Sequence, residues 1–124
     1  MDEAETFFAE LSERGYEPLL RRVSGSVRFD LDLDKETDHW VITITKGKLS
    51  VAHGNDPADA VIHTGRHQFD RFLSGEARPM ASLLRGLVGV EGDPELVVLT
   101  QRLFATADRA GAAAAEMMGE RRHA

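Results

Sequence analysis

Between residues 27 and 34 the chain alternates strictly between apolar and charged side chains, and this alternation constrains the fold more than any other feature. The apolar positions are Val27, Phe29, Leu31 and Leu33, and the charged positions are Arg28, Asp30, Asp32 and Asp34. Because successive side chains of a strand point to opposite faces, the pattern predicts a strand with one buried and one solvated face. The three aspartates are predicted to be solvated, with nothing apolar beside them to raise a carboxyl pKa for acid–base catalysis.

Four further segments are predicted to be strands. The run HWVITIT at residues 39–45 is rich in β-branched and aromatic side chains, which favours a more buried strand. A tight turn at Lys46 and Gly47 joins it to KLSVAH, so that the two form a hairpin. After a loop at residues 55–57, AVIHT is predicted to be a fourth strand, and the glycine-rich LVGVEG a short fifth strand near an edge.

A helix is predicted before the first strand. It starts at Asp2, with Glu5 completing a capping box, and ends at Gly15. Its apolar face consists of Phe7, Phe8 and Leu11. A short helical turn opened by Pro18 is predicted to follow within residues 16–22.

Three later helices are predicted from their caps and apolar spacing. Thr64 is the predicted cap of the first of them, which ends at Gly75. Pro79 opens the second, and Asp93 caps the third. Their apolar side chains are, in order, Phe69, Phe72 and Leu73; Met80, Leu83, Leu84 and Leu87; and Leu96, Leu99, Leu103 and Phe104.

The length of 124 residues, without an internal repeat or a linker, predicts a single domain with one core. Residues 1–18 are assigned to its N-terminal helix, residues 19–104 to its core, and residues 105–124 to an alanine-rich tail. The tail has high helix propensity, but only Met117 and Met118 offer bulk to bury. It is therefore predicted to be a loosely docked helix or a lid.

Composition and charge argue against several classes of protein. The net charge is −6 and no basic stripe is present, so a nucleic-acid partner is not expected. No apolar run approaches the ~18–20 residues of a membrane span, and the acidic start is unlike a signal peptide. Stable membrane insertion is not expected, and a cytoplasmic location is predicted. Without cysteine, the chain forms neither disulfides nor a thiolate metal site.

The sequence contains no recognisable pattern of a catalytic, metal or cofactor site. A G-x-S-x-G nucleophile motif is absent, and GLVGVEG matches neither the dinucleotide-binding nor the P-loop pattern. His63 and His67 have a metal-ligand spacing only if they share a helix, whereas they are assigned to a strand and a helix. No enzymatic activity, metal or cofactor is predicted. The candidate site that is left consists of the apolar faces of the short helices. The spacing of their side chains fits either a core or the wall of a ligand pocket.

The order of these segments resembles the sterol carrier protein type-two domain from about Leu19 to Phe104. The resemblance rests on three pieces of sequence: Gly25-Ser26-Val27-Arg28-Phe29; AVIHT followed by a helix with Phe69, Phe72 and Leu73 that ends at Ser74-Gly75; and Gly92-Asp93 leading into residues 96–104. It implies an α+β fold, in which a mixed, mostly antiparallel five-stranded sheet carries helices on one face and encloses an apolar cavity.

Members of that family hold fatty acids, acyl chains, sterols or other lipids in such a tunnel, which the C-terminal segment covers in several of them. The resemblance therefore implies noncatalytic binding or transfer of an apolar or amphipathic small molecule. The expected wall comprises Trp40, Phe69, Phe72, Met80, Leu83, Leu84, Leu99, Leu103 and Phe104.

A second reading stays open, because the same fold is also the last domain of some acetyltransferases, alkyl sulfatases and thiol-dependent isomerases. In that reading the chain is a dimerisation or interaction module with a vestigial pocket, acting with a second copy or beside a separate enzyme. Two departures from the family matter. The segment between His67 and Met80 is short, which bears on the size of the tunnel, and the ending Arg122-His123-Ala124 does not support peroxisomal import.

Overall fold

The alternating segment is the central strand of the sheet. In the computed structural model, which describes residues 3–104, the strands are β1 (Ser24–Leu33), β2 (Glu36–Thr45), β3 (Lys48–His53), β4 (Ala60–Gly65) and β5 (Gly89–Gly92). Their order is β3-β2-β1-β4-β5, and β1 pairs antiparallel with β2 and parallel with β4. The pairs β2–β3 and β4–β5 are antiparallel. The predicted mixed, mostly antiparallel five-stranded sheet is thereby confirmed.

The helices of the described range are α1 (Glu3–Arg14), the 3₁₀ turn Pro18–Leu20, α2 (Arg66–Ser74), α3 (Pro79–Leu84) and α4 (Pro94–Leu99), and residues 101–104 are again helical. Gly15 follows α1 in the left-handed conformation with φ +63°, as its predicted role as a helix end requires. Asp93 caps α4, since its carboxylate accepts the backbone N–H of Glu95 at 2.9 Å. The predictions for Asp2 and for residues 105–124 lie outside the described residues.

One face of the sheet, here called the inner face, bears the core. Paired residues of neighbouring strands point to the same side, so Val27 and Phe29 of β1 lie on this face with Ile42 of β2. These side chains are buried. They pack with a cluster of aromatic rings from the helices: Phe7, Phe8, Phe69, Phe72 and Phe104. The opposite side is here called the outer face.

Two tight turns connect β1 to β2 and β2 to β3. Lys46 and Gly47 form the predicted tight turn between β2 and β3, with φ of +50° and +86°. Asp34, at φ +56°, lies in the turn between β1 and β2 and not in the strand to which it was assigned. Along β3, Lys48 forms a bridge with Tyr16, and the backbone N–H of Leu49 donates to the carbonyl oxygen of Gly15 at 2.8 Å.

The structure corrects two further assignments. Thr64 does not cap α2, because it belongs to β4, where its hydroxyl donates to the carbonyl oxygen of Leu87 at 3.1 Å. Gly65 takes the cap position instead. Leu33 was assigned to the buried face but is 42% exposed. The hairpin that carries it extends past Asp32, the last residue of β1 that pairs with β4.

No helix among residues 3–104 is long and apolar enough to span a bilayer.

Candidate ligand site

An apolar cleft lies where α2, α3, β5 and α4 meet the inner face of the sheet. Its lining side chains are Phe29, Ile62, Phe69, Phe72, Pro79, Met80, Leu83, Val88, Val90, Val97, Val98, Thr100, Gln101 and Phe104. The two polar side chains among them bond to the backbone of α4. Thr100 donates its hydroxyl to the carbonyl oxygen of Leu96 at 2.6 Å, and the Gln101 amide donates to that of Val98 at 3.0 Å. The cleft therefore presents almost only apolar atoms.

The cleft is narrow. Its free volume is about 30 Å³, whereas drug-sized sites begin near about 300 Å³. It is thus smaller than the cavity that the family resemblance implies. Val90 and Val98 line it and are 40% and 48% exposed, so the cleft reaches the surface of the described part of the chain.

Of the three helices that line the cleft, α3 is held least firmly by apolar contacts. It has six residues, and Ser82 is the one among them that is buried. By contrast, α2 buries Phe69 and Phe72, and α4 buries Leu96. Because burial of apolar area is the main force that holds a helix in place, an outward movement of α3 is expected to cost less than one of α2 or α4.

The structure brings five of the nine predicted wall residues together at the cleft: Phe69, Phe72, Met80, Leu83 and Phe104. The other four lie elsewhere. Leu103 is buried in the core, and Leu99 is half-buried against it. Leu84, the last residue of α3, is 80% exposed. Leu87 was predicted on the apolar face of this helix but not as part of the wall; α3 ends before it, and it is 49% exposed.

Trp40, the remaining predicted wall residue, lines a separate hollow between α1 and the strands β2 and β3. Its ring stacks on Phe8 at a centroid distance of 4.7 Å and on His53 at 4.1 Å. Its indole N–H donates to Asp38 at 2.8 Å, and the His53 ring contacts the same carboxylate. Both faces of the indole are thus covered by side chains of the protein. Contact between any of the nine residues and a ligand remains a prediction.

Sequence reasoning missed several residues of the cleft. Phe29 and Ile62 come from the inner face of the sheet, where alternation identifies a buried side chain but does not separate a cleft from a core. Val97 and Val98 fall outside the i, i+3 spacing used to assign the apolar face of α4. Val90 reaches the cleft through the pairing of β5 with β4, which no local pattern reveals.

The outer face carries a polar cluster around Asp30, and the prediction that Asp30 is solvated is wrong. Asp30 is 8% exposed, because Arg28 and His39 cover its carboxylate at 2.8 and 2.7 Å. Burial alone raises the pKa of a carboxyl, but the hydrogen bonds from Arg28 and His39 outweigh it. They hold the pKa of Asp30 below its ordinary value of 3.8. The hydrogen bond between Arg28 and Asp30 also raises the pKa of Arg28.

Asp32, its neighbour on the outer face, is exposed, as predicted. It accepts a hydrogen bond from the Thr37 hydroxyl at 2.6 Å and is contacted by His63 Nε2 at the same distance. These two contacts, that of Thr37 first, lower the pKa of Asp32. His63 lies on β4 and His67 on α2, so the two histidines do not share a helix.

Asp30→Asn is expected to lower the free energy of unfolding by about 1.5–3 kcal/mol at neutral pH, because Arg28 and His39 lose a charged acceptor. The folded-state pKa is lowered, so this stabilisation is present above 3.8 and is lost as the pH falls through the folded pKa. Urea unfolding of both proteins at neutral and acidic pH measures the difference, with the exposed Glu10→Gln on α1 as the control. A difference that stays constant below pH 3.8 would contradict the role given to Asp30.

Together the sheet, the helices on its inner face and the cleft define a small α+β domain with an apolar site between sheet and helices. The model of the SCP-2 sterol transfer family matches residues 5–105. The chain belongs to this family. Among curated proteins no sequence matches the chain.

Solved structures show the same fold at low sequence identity. Palmitated sterol carrier protein 2-like 2 from Aedes aegypti has a TM-score of 0.67 at 17% identity, covering 81% of this chain and 92% of that one. The apo form of sterol carrier protein 2 from Yarrowia lipolytica has a TM-score of 0.58 at 18% identity, covering 86% and 80%. A sec-alkylsulfatase from Pseudomonas has a TM-score of 0.64 at 15% identity, and the match covers 84% of this chain but 16% of the sulfatase.

Proposed function

We propose that the protein is a noncatalytic carrier that holds the apolar part of a small molecule in the cleft beside α3. The observation that supports this most directly is the lining of the cleft, where the two polar side chains, Thr100 and Gln101, are engaged by α4. Burial of an acyl or sterol skeleton there contributes about 0.8 kcal/mol per methylene group. Membership of the SCP-2 sterol transfer family supports lipid binding in general. A cytoplasmic location remains a prediction.

Ligand entry in this proposal requires the cleft to open. A free volume of about 30 Å³ does not accommodate an acyl chain, so α3 moves outward, carrying Met80 and Leu83 with it. The few buried groups on α3 keep the cost of this movement low.

The narrow cleft also supports the second candidate, an interaction module whose pocket is vestigial. The match to one part of a Pseudomonas sulfatase is in keeping with that reading. Native mass spectrometry of protein purified without detergent separates the two candidates. A carrier shows an added mass that is lost on denaturation and binds a fluorescent fatty acid stoichiometrically. If the protein carries no added mass and binds none of the fatty acid, the carrier function is wrong and the interaction module is favoured.

Leu83→Trp is expected to weaken binding of the fluorescent fatty acid about tenfold or more, because the indole occupies the space of at least two methylene groups. Val98→Trp at the exposed rim of the cleft is a second variant that leaves the core untouched. The matched control is Leu84→Trp, which places the same ring on the same helix outside the cleft. Titration of the four proteins checks this, and equal affinity in all of them would place the ligand elsewhere.

A further inference from the structure

Another concavity, distinct from the hollow at Trp40, lies on the other side of α3 from the apolar cleft. Its lining residues are Gln68, Arg71, Glu76, Ala77, Arg78, Ala81, Ser82, Arg85 and Leu87. Its free volume is about 180 Å³, which is larger than that of the cleft. Helix α3 therefore separates two unlike spaces, with Met80 and Leu83 lining the apolar one and Ala81 and Ser82 the other. We call the second space the arginine hollow.

The charge of the arginine hollow is opposite to that of the chain. The protein as a whole carries −6, whereas Arg71, Arg78 and Arg85 face a single acid, Glu76, among the lining residues. Glu76 lies 3.8 Å from Arg71. Within residues 3–104, neither the Arg78 nor the Arg85 guanidinium has a hydrogen-bonding or ion-pairing partner. Two exposed cations thus stand uncompensated at one concave site.

The placement of these two arginines follows from the geometry of α3. Arg78 is its N-cap residue and Arg85 its C-cap residue. They are seven residues apart, which is about two helical turns, so they flank the same side of the helix. Their guanidinium groups supply planar, paired N–H donors of the kind that bind a carboxylate or phosphate through two hydrogen bonds.

The floor of the arginine hollow adds a neutral donor. Ser82 is buried, and its Oγ accepts a hydrogen bond from the Gln68 amide at 2.8 Å. A hydroxyl that accepts one bond retains its own proton for donation. The other end of the Gln68 side chain accepts from Arg71 at 3.4 Å, which orients the amide.

We infer that the arginine hollow binds the acidic group, a carboxylate or a phosphate, of an amphiphile whose apolar chain lies in the cleft. This inference rests on the proposed carrier function and names its ligand class. The two spaces are separated by one helix, about 10 Å in diameter with its side chains. A chain seated against Met80 and Leu83 therefore reaches the hollow by passing an end of α3. An acidic amphiphile is preferred over a neutral one of the same length.

The test compares three probes: dodecanoate, dodecanol and inorganic phosphate. Binding to the wild-type protein and to the Arg78→Gln/Arg85→Gln variant is measured by displacement of a fluorescent fatty alcohol and, for phosphate, by calorimetry. The variant is expected to bind dodecanoate about tenfold more weakly, because charge-assisted hydrogen bonds are lost. Its affinity for dodecanol stays unchanged. The Arg22→Gln/Lys35→Gln variant removes two charges that line neither space and should bind both amphiphiles as the wild type does.

The outcomes separate failure of this inference from failure of the proposed function. Equal affinity of wild type and variant for dodecanoate, with dodecanol still bound, overturns the arginine hollow and leaves the carrier function standing. If the wild type binds neither amphiphile, the carrier function fails and the inference fails with it. If phosphate alone binds as tightly as dodecanoate and is lost in the variant, the hollow is an anion site independent of the cleft, which also overturns the inference.

Discussion

Phe8→Ala is expected to lower the free energy of unfolding by about 3–5 kcal/mol, the range found for truncation of a buried phenylalanine. Phe8 is fully buried on α1. Its ring lies at centroid distances of 4.7 to 5.7 Å from those of Phe7, Phe29, Trp40 and Phe69. Truncation removes contacts with α2, β1 and β2 at once, so little of the resulting cavity is expected to be filled by relaxation.

A loss of this size is large against a total stability of about 5–15 kcal/mol. Phe8→Leu is the matched control, because it retains most of the buried volume and should cost clearly less than the alanine variant. Urea unfolding of the wild type and the two variants measures how much each substitution lowers the free energy of unfolding. The m-value is expected to be the same in all three proteins. If both variants lose less than about 1 kcal/mol, α1 does not pack on the sheet as described.

Gly92→Ala is expected to lower the free energy of unfolding by about 3 kcal/mol or more. The alanine would have to adopt an unfavourable left-handed backbone conformation, and its Cβ would clash with a neighbouring backbone atom. Gly92 has φ +84°, and a Cβ there would lie 2.2 Å from the carbonyl oxygen of Asp59. That oxygen also accepts the N–H of Asp93 at 2.9 Å, and the Asp59 carboxylate accepts the N–H of Ser26 at 2.9 Å. The backbone at Asp59 is therefore held from two sides and cannot easily move away.

Gly86→Ala is the control for the backbone contribution. Gly86 has φ +76°, but a Cβ there meets nothing within 4 Å, so the alanine costs only the left-handed conformation, about 1–2 kcal/mol. Thermal or urea unfolding of both variants isolates the clash as their difference. Equal losses of stability in the two variants would mean that the Asp59 carbonyl moves away from the new Cβ at little cost. Because Gly92 pairs with β4 at one end of β5 and Val90 lines the cleft, Gly92→Ala should also weaken ligand binding.

Much of the fold was predictable because its signals are local. The alternation around Phe29, the turn at Lys46 and Gly47, and the cap at Asp93 each depend on residues that are neighbours in the chain. The order of the segments supplied the rest, since it resembles a known family. The wrong assignments at Thr64 and Leu33 concern the exact ends of elements, which are decided by pairing between strands.

The burial of Asp30 was not predictable from its own strand. Alternation places Asp30 on the outer face correctly, but Arg28 lies two residues away on the same face and His39 comes from β2. Together they cover most of a carboxylate that the pattern alone assigns to solvent.

The candidate site was half predictable for a related reason. Helical spacing found Phe69, Phe72, Met80, Leu83 and Phe104, because each lies on the inward side of its own helix. Spacing also assigned Leu84, but this last residue of α3 is 80% exposed. The basic side of α3 has no apolar signal, and Arg78 and Arg85 are brought together only by the helix between them.

The two edge strands have a consequence for how this sheet behaves at high concentration. An open sheet offers its outermost backbone groups to any other strand, and long, flat edges promote aggregation. Here β3 is met along its start by Gly15 and Tyr16, through the Tyr16–Lys48 bridge and the hydrogen bond from Leu49. The opposite edge, β5, has four residues, two of them glycine, and carries the charge of Glu91. Both edges of the sheet are thus protected from pairing with strands of other molecules. This protection does not depend on whether a ligand is bound.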